Sequence, residues 1–132
     1  MDLIIEKATE LGISEIYPII SDRSIVRISS NELVKKQENW QRVAIEACKQ
    51  SGQNWLAKVR IPKKPEEVFQ SDQLKYDLLL IASLQKKSNH FKEILSKYQV
   101  SHQKTKPRSV LILIGPEGDF TPSEINVALN FG

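Results

Sequence analysis

Cysteine is almost absent from this sequence of 132 residues, and Cys48 is its single representative. One cysteine excludes a disulfide within the chain and is typical of a protein kept in a reducing cytoplasm. Cys48 also lies in a stripe of apolar residues at helical spacing, which favours a core position over a role as a nucleophile. We therefore expect a cytoplasmic location and a fold without covalent cross-links.

Long hydrophobic runs are missing as well. No stretch approaches the roughly 20 apolar residues that a membrane-spanning helix needs. The first residues, Met1-Asp2-Leu3, lack the basic region and the long apolar core of a signal peptide. The sequence therefore predicts no membrane association and no secretory signal.

Histidine is scarce, with only two residues of this type. His90 and His102 flank a predicted helix, and neither has a cysteine or a carboxylate at the spacing of metal ligands. Structural metal sites gather several such donors around one ion. We therefore expect no metal site.

The charge is not strongly one-sided. The chain has a net charge of +3, with 27% charged and 40% hydrophobic residues. These proportions are ordinary for a soluble globular protein, and they permit a nucleic-acid partner without requiring one. The length suits one domain that covers residues 1–132.

The apolar pattern alternates between strands and helices along the chain. Strands are predicted at Glu15–Ile20, Ser24–Ile28, Ala57–Ile61, Asp77–Ala82 and Val110–Ile114. Helices are predicted at Asp2–Leu11, from Ser29 to about Gln50, near Val68-Phe69, at Asn89–Tyr98 and from Thr121 to Asn130, with a surface loop at Val100–Arg108. This alternation indicates an α/β fold with a mostly parallel sheet flanked by helices, whose ligands bind at the carboxyl ends of the strands.

The first two helices carry end signals and apolar faces. The predicted buried face of the first consists of Leu3, Ile4, Ala8 and Leu11. That of the long second helix consists of Leu33, Trp40, Val43, Ala44, Ala47 and Cys48. Gly12 stands where a glycine ends a helix, and Ser29 and Glu32 have the spacing of a capping box.

The stretch from Ser109 to Ile125 carries the strongest functional signal. Val110–Ile114 is an unbroken apolar run, which predicts a strand buried on both faces. Gly115-Pro116-Glu117-Gly118 ends it, because proline fixes φ and glycine can take backbone angles closed to other residues. Thr121-Pro122-Ser123-Glu124 then has the pattern of a helix start with a capping box.

A strand, a glycine loop and a helix start in this order form a ligand platform at the edge of a sheet. The loop contains Glu117 and Asp119 but no lysine or arginine. It therefore suits a small zwitterionic or cationic ligand better than a triphosphate. From the residues alone, a tight turn without a ligand remains an alternative.

The platform and three other stretches resemble the RsmE-type methyltransferases of the SPOUT superfamily. The platform contributes the sequence L-I-G-P-E-G and its capped helix. The other stretches, in the order of the family, are Ile5–Gly12, Asp22–Val26 and Trp40–Gly52. Together the matches span nearly the whole chain.

This resemblance implies a deep trefoil knot that forms a pocket for S-adenosylmethionine, and a homodimer that pairs through the knot. It also implies methylation of N3 of a uridine in the 16S ribosomal RNA of the small subunit. The implied cofactor-binding residues are Ile114, Gly115, Pro116, Glu117, Gly118, Ala82 and Ser83. The implied RNA-binding residues are Arg23, Ser24, Lys49 and Gln50. No residue stands out as the general base, and a surface ion pair with Asp22 or Glu15 remains an alternative role for Arg23.

The chain also departs from the family. Gln53 stands where the family usually has arginine, so one expected cation is missing. The PUA-like barrel that precedes this domain in the family and the knot segment that follows it are not in the sequence. We therefore expect the chain by itself to be inactive, with apolar surface around Ile81 and Leu113 left open.

Two other functions remain open. The first is a methyltransferase of the same superfamily that acts on transfer RNA or on another ribosomal RNA site. The second is a non-catalytic RNA-binding or assembly module.

Overall fold

The computed structural model describes residues 1–21, 29–71, 76–82, 88–103, 105–115 and 120–130. Its elements are α1 (Asp2–Glu10), β1 (Glu15–Ile16), α2 (Ser30–Ser51), β2 (Lys58–Val59), α3 (Pro65–Ser71), β3 (Leu78–Ala82), α4 (Phe91–Ser101), β4 (Val110–Ile114) and α5 (Pro122–Asn130). The predicted α/β class is confirmed, because β1 pairs with β2 and β3 pairs with β4, both in parallel. The predicted extended segment Ser24–Ile28 lies outside the described residues.

These elements form two compact units. The first contains Met1–Ile20 and the chain from α2 to Val68, and the second is formed mainly by Phe69–Gly132. A single domain covering residues 1–132 stays a prediction. None of the helices in the described part of the chain combines the length and the apolar character needed to cross a membrane.

The main core of the first unit draws on α1, α2, β1 and β2. Ile5, Ile16, Ala44 and Val59 form its buried centre. The predicted buried face of α1 is wrong in part, because Leu3, Ile4 and Leu11 are exposed. The face that packs inward contains Ile5 and Thr9, which are four residues apart and therefore lie on the same side of the helix.

The predicted apolar stripe of α2 is confirmed. Ala44 and Ala47 are buried, and the other four members are partly buried. The same helix also contacts the edge of β2 through polar side chains. Gln41 Nε2 donates to Ala57 O at 3.0 Å, Gln41 Oε1 accepts from Val59 N at 2.9 Å, and Gln37 Nε2 donates to Val59 O at 2.9 Å. The edge of β2 is therefore paired with side chains of α2.

Both strands of the first unit are shorter than predicted. The predicted strand Glu15–Ile20 is interrupted after Ile16, and parallel pairing resumes only at the isolated bridge between Ile19 and Lys63. Pro18 lies in the gap and has no N–H to donate to a ladder. Proline therefore divides one expected strand into two short paired segments.

In the second unit, β3 and β4 pair over their whole length. The register runs from Leu78 opposite Val110 to Ala82 opposite Ile114. Asp77 Oδ2 accepts from Arg108 N at 2.6 Å, and Ser109 Oγ accepts from Asp77 N at 3.0 Å, so the two strands are also tied together where they begin.

One face of β4 is covered and the other is open. Leu113, Phe120 and Ala128 form the buried cluster under the covered face. The expectation that β4 is buried on both faces is wrong, because Val110, Ile112 and Ile114 are 39%, 51% and 66% exposed. Leu113 is buried, so the open apolar surface is not the one expected around Ile81 and Leu113. Successive side chains of a strand point to opposite faces, and only the odd-numbered face of β4 is packed.

The fourth helix begins and ends later than predicted. His90 Nδ1 accepts from Lys92 N at 3.2 Å and thereby caps the start of α4. The helix continues to Ser101, so the predicted loop starting at Val100 is wrong at its first two residues. The helical path ends where Gln103 takes a positive φ of 53°.

Candidate functional site

The predicted cofactor-binding residues that the structure describes lie at one end of the β3–β4 pair. Ala82 is the register partner of Ile114, and Gly115 follows directly. Because the strands are parallel, their carboxyl ends meet at the same edge, which is where ligands bind in α/β proteins. Ala82 and Ile114 are both exposed at this edge. The structure thus places Ala82 beside Ile114, which is 32 positions later in the sequence.

Gly115 is required here for space and not for an unusual φ. Its φ lies outside the left-handed region, which in the described chain is occupied by Gly12, Gly52 and Gln103. A Cβ built on Gly115 would lie 3.1 Å from Cδ2 of Phe120 and 3.3 Å from the Phe120 backbone nitrogen. Any larger residue would therefore have to displace Phe120, which is itself buried.

The helix start that follows the loop is confirmed. Glu124 Oε2 accepts from Thr121 N at 2.8 Å and from Thr121 Oγ1 at 3.0 Å, and Glu124 N donates to Thr121 Oγ1 at 3.3 Å. The sequence pattern predicts this box, but it does not predict that Glu124 is only 3% exposed. The carboxylate that caps α5 is therefore buried in the second unit, although Pro122 and Ser123 of the same turn are exposed.

The described part of the platform has few ionisable side chains. Among the described residues 110–115 and 120–130, Glu124 is the only ionisable side chain. Its carboxylate already accepts from Thr121, so it serves the helix start. The described platform can therefore bind a ligand through apolar contact and backbone hydrogen bonds, whereas it offers no side chain for proton transfer.

Six predicted or candidate residues fall outside the described chain. They are Arg23, Ser24, Ser83, Pro116, Glu117 and Gly118. Their roles stay predictions.

The other two predicted RNA-binding residues, Lys49 and Gln50, lie in the last turn of α2. Lys49 Nζ forms an exposed ion pair with Glu46 Oε1 at 2.9 Å. Gln50 is exposed and lines an open cleft of about 530 Å³ between α1 and α2, together with Arg42 and Glu10 among others. Both side chains are accessible to a partner.

Gln53 has a structural role that the sequence did not reveal. Its Nε2 donates to the backbone oxygen of Glu10 at 2.8 Å, so it links the loop after α2 to the end of α1. An uncharged amide performs this function at the position where the resembled family usually has arginine.

A polar cluster beside the β1–β2 pair was also missed. Arg60 donates to Glu15 twice, from Nε to Oε2 at 2.9 Å and from Nη2 to Oε1 at 3.1 Å, and Tyr17 donates to the same carboxylate at 2.5 Å. The hydrogen bonds from Arg60 are the main reason why the pKa of Glu15 lies below its ordinary value. The only signal in the sequence was the presence of both charges, which does not specify their pairing.

The histidines have structural partners. His90 caps α4, and the ring of His102 stacks on Tyr98 with centroids 4.0 Å apart. Within the described ranges, no group of three or more histidine, cysteine, aspartate or glutamate residues could hold a metal ion.

Comparison with known proteins adds the family context. The model of the RNA methyltransferase domain family matches residues 1–132. Ribosomal RNA small subunit methyltransferase E from Bacillus subtilis is 31% identical over 125 residues, which cover 95% of this chain and 48% of that protein. The protein of the same name from Mesomycoplasma hyopneumoniae is 27% identical over 131 residues, which cover 99% of this chain and 52% of that protein.

A solved structure is similar over the same length. The crystal structure of a ribosomal RNA small subunit methyltransferase E from Neisseria gonorrhoeae, bound to S-adenosyl methionine, has a TM-score of 0.80 and 29% sequence identity. The similarity covers 99% of this chain and 50% of that one. The chain thus spans about half the length of the curated relatives it matches.

Proposed function

Because the chain belongs to the RNA methyltransferase domain family, we propose that the protein transfers a methyl group from S-adenosylmethionine to N3 of a uridine in 16S ribosomal RNA of the small subunit. The observation that carries this proposal is the similarity, along nearly the whole chain, to proteins named ribosomal RNA small subunit methyltransferase E. The S-adenosyl methionine bound to the Neisseria protein supports the choice of methyl donor.

The edge formed by Ala82, Ile114 and Gly115 fits this donor. Ile114 is two-thirds exposed, so it offers apolar surface to the adenine ring and the methylene groups. Backbone groups just beyond the end of a parallel ladder can hydrogen-bond the polar parts of a ligand. The described platform has no lysine or arginine that would repel the sulfonium. The remaining cofactor contacts are assigned to Ser83 and to the loop of Pro116, Glu117 and Gly118.

Bound S-adenosylmethionine supplies a methyl group that its sulfonium already activates. The protein therefore contributes mainly by holding donor and acceptor in line and by excluding water. The N3–H proton of uridine has to leave, which calls for a base or for a group that stabilises the uridine anion. Glu124 is engaged with Thr121, so this group lies outside the described platform.

The RNA contacts are assigned to the exposed end of α2 and to the segment after β1. Lys49 and Gln50 represent the first region, and Arg23 and Ser24 the second. Cations at such positions can contact phosphates without reading the base sequence. The protein acts in the cytoplasm as a knotted homodimer of the SPOUT type.

The proposal is tested by cofactor binding and by transfer of labelled methyl groups to small ribosomal subunits that lack the modification. Ile114→Lys places a long cation at the proposed site, and we expect S-adenosylmethionine affinity to fall about tenfold or more, which is about 1.4 kcal/mol or more. Ile112→Lys is the matched control, because it alters the same residue type on the same exposed face of β4. Mapping of the product should place the methyl group on N3 of a uridine in 16S ribosomal RNA.

Three outcomes would contradict parts of this proposal. Equal loss of cofactor affinity in both variants would show that Ile114 does not contact the cofactor. Methylation of transfer RNA or of another ribosomal RNA site would change the substrate. RNA binding without any methyl transfer, in a protein that also carries the barrel and knot segments of the family, would identify a non-catalytic RNA-binding or assembly module.

A further inference from the structure

Trp55 is a large apolar side chain that the first unit leaves in solvent. It is 83% exposed, although tryptophan is highly buried on average. The other tryptophan of the chain, Trp40, is partly buried and packs against the core. Isolated exposed apolar side chains are common, so exposure alone does not indicate a site. The backbone contacts and the charged residues around Trp55 are the further observations that indicate a binding site.

The loop that carries Trp55 is held at both ends. On one side, Gln53 N donates to Cys48 O at 3.1 Å, and the Gln53 side chain is bonded to α1. Cys48 Sγ donates to Gln53 O at 3.2 Å and to Trp55 O at 3.6 Å. On the other side, Ala57 is fully buried and Lys58 N donates to Ser14 O at 2.9 Å. The backbone at Trp55 is therefore ordered without a ligand, which lowers the entropy cost of binding one.

Cationic residues stand on both sides of the ring in the sequence. Lys49 is exposed at the end of α2, and Lys58 is exposed at the start of β2. An aromatic ring for a base and nearby cations for phosphates are the two parts with which proteins bind single-stranded nucleic acids. Trp55 thus extends the proposed RNA surface at the end of α2.

Building on the proposed function, we propose that Trp55 stacks on an unpaired base of the RNA substrate, while Lys49 and Lys58 contact neighbouring phosphates. The chemical class recognised is an unpaired base in a single-stranded segment. The flat face of such a base is accessible to Trp55, whereas the faces of a base inside a duplex are covered by its neighbours. This contact would hold a segment of the RNA on the first unit, and it takes no part in the chemistry. Trp55 is therefore a positioning residue.

The test measures the affinity of the purified protein for a short single-stranded RNA of mixed sequence and for the matching duplex. We expect Trp55→Ala to weaken single-strand binding about tenfold, and Trp55→Phe, which keeps an aromatic ring, to weaken it about threefold or less. Trp55→Ala should leave the salt dependence unchanged, whereas Lys49→Ala should lower the salt slope by about one. Tryptophan emission should be quenched by RNA in the unaltered protein and not in Trp55→Phe, which retains only Trp40.

Leu11→Ala is the matched control, because Leu11 is an equally exposed apolar residue at 84%. It should bind the single strand like the unaltered protein. If Leu11→Ala and Trp55→Ala lose RNA affinity equally, the loss follows exposed apolar surface in general, and the stacking role of Trp55 is wrong. If Trp55→Ala binds the single strand as tightly as the unaltered protein, the stacking inference is wrong, even if the unaltered protein transfers methyl groups. If the unaltered protein binds neither RNA nor S-adenosylmethionine, the proposed function fails and the inference falls with it.

Discussion

Two regions of the molecule are built from the same signals and use them differently. The helix α2 begins with the capping box of Ser29 and Glu32 and is followed by Gly52. The β4–α5 platform contains Gly115 and the capping box of Thr121 and Glu124. Both boxes pair a hydroxyl residue with a glutamate three positions later.

The surroundings of these signals differ. Glu32 is exposed, and no atom of the described residues lies within 4 Å of a Cβ built on Gly52, which has a φ of +68°. Glu124 is buried, and a Cβ on Gly115 would press against Phe120. In α2 these residues therefore specify the backbone conformation only. In the platform they also meet the packing of the interior, where Glu124 is buried and Gly115 leaves room for Phe120. The same motif should have larger energetic consequences where it is buried.

The largest expected effect is that of Glu124→Ala. The change removes the acceptor of two donors of Thr121 inside the second unit and leaves a void. We expect the free energy of unfolding to fall by about 2–3 kcal/mol, because a lost cap, an unpaired donor on partly buried Thr121 and the void left by Glu124 all contribute. Denaturant unfolding followed by circular dichroism measures this loss.

Glu32→Ala is the matched control for this change. It removes the same box at the surface, where water replaces the lost acceptor, so its effect should be well under half as large. Equal losses in the two variants would show that burial does not distinguish the boxes. Glu124→Gln keeps the volume and one acceptor, so its loss should lie between the two.

Local signals of the sequence predicted the starts of α2 and α5 and the end of α1, but not the ends of α4. The box at Thr121, the stripe of α2 and the positive φ of Gly12 all follow from residues within a few positions of each other. The inward face of α1 and the covered face of β4 depend on the partner that packs there. Leu3 and Ile112 are as apolar as Ile5 and Leu113, so composition does not reveal which face is covered.

The candidate site was predictable to a similar extent. The order of strand, glycine and capped helix placed Ile114 and Gly115 at a strand end, whereas parallel pairing alone does not specify the register that sets Ala82 opposite Ile114. The contact of Gly115 with Phe120 was not predictable. A glycine in the sequence does not reveal whether it is needed for a positive φ or for lack of space around its Cα. The bond from Gln53 to Glu10 joins residues 43 positions apart, and no local pattern indicates it.

The next largest effect concerns the two glycines. Gly115→Ala should cost about 1–2 kcal/mol of unfolding free energy, because its Cβ overpacks against Phe120. Gly52→Ala should cost about 1 kcal/mol, because alanine is disfavoured at positive φ. Gly52→Asn should recover part of that loss, since asparagine tolerates this conformation, whereas Gly115→Asn should be worse than Gly115→Ala.

A double-mutant cycle separates the two causes further. Phe120→Leu combined with Gly115→Ala should lose less than the sum of the single changes, because the smaller side chain relieves the overlap. The same Phe120→Leu change should add independently to Gly52→Ala. Additivity in both cycles would contradict the packing explanation for Gly115.

The smallest effect is expected for Ser29→Ala, and its dependence on pH carries the information. The hydrogen bonds from Ser29 are the main reason why the pKa of Glu32 lies below its ordinary value. A group with a lowered pKa in the folded state stabilises the protein above its unfolded-state pKa, about 4.3 for glutamate, and loses this contribution as the pH falls through the folded-state pKa. The unaltered protein should therefore exceed Ser29→Ala in stability by a small amount at pH 7, and the difference should disappear as the pH falls below about 4. Unfolding midpoints of both proteins at pH 7, 5 and about 3.5 measure this. A difference that stays constant over this range would mean that Ser29 acts through backbone preference alone, so that the surface box owes nothing to the charge of Glu32.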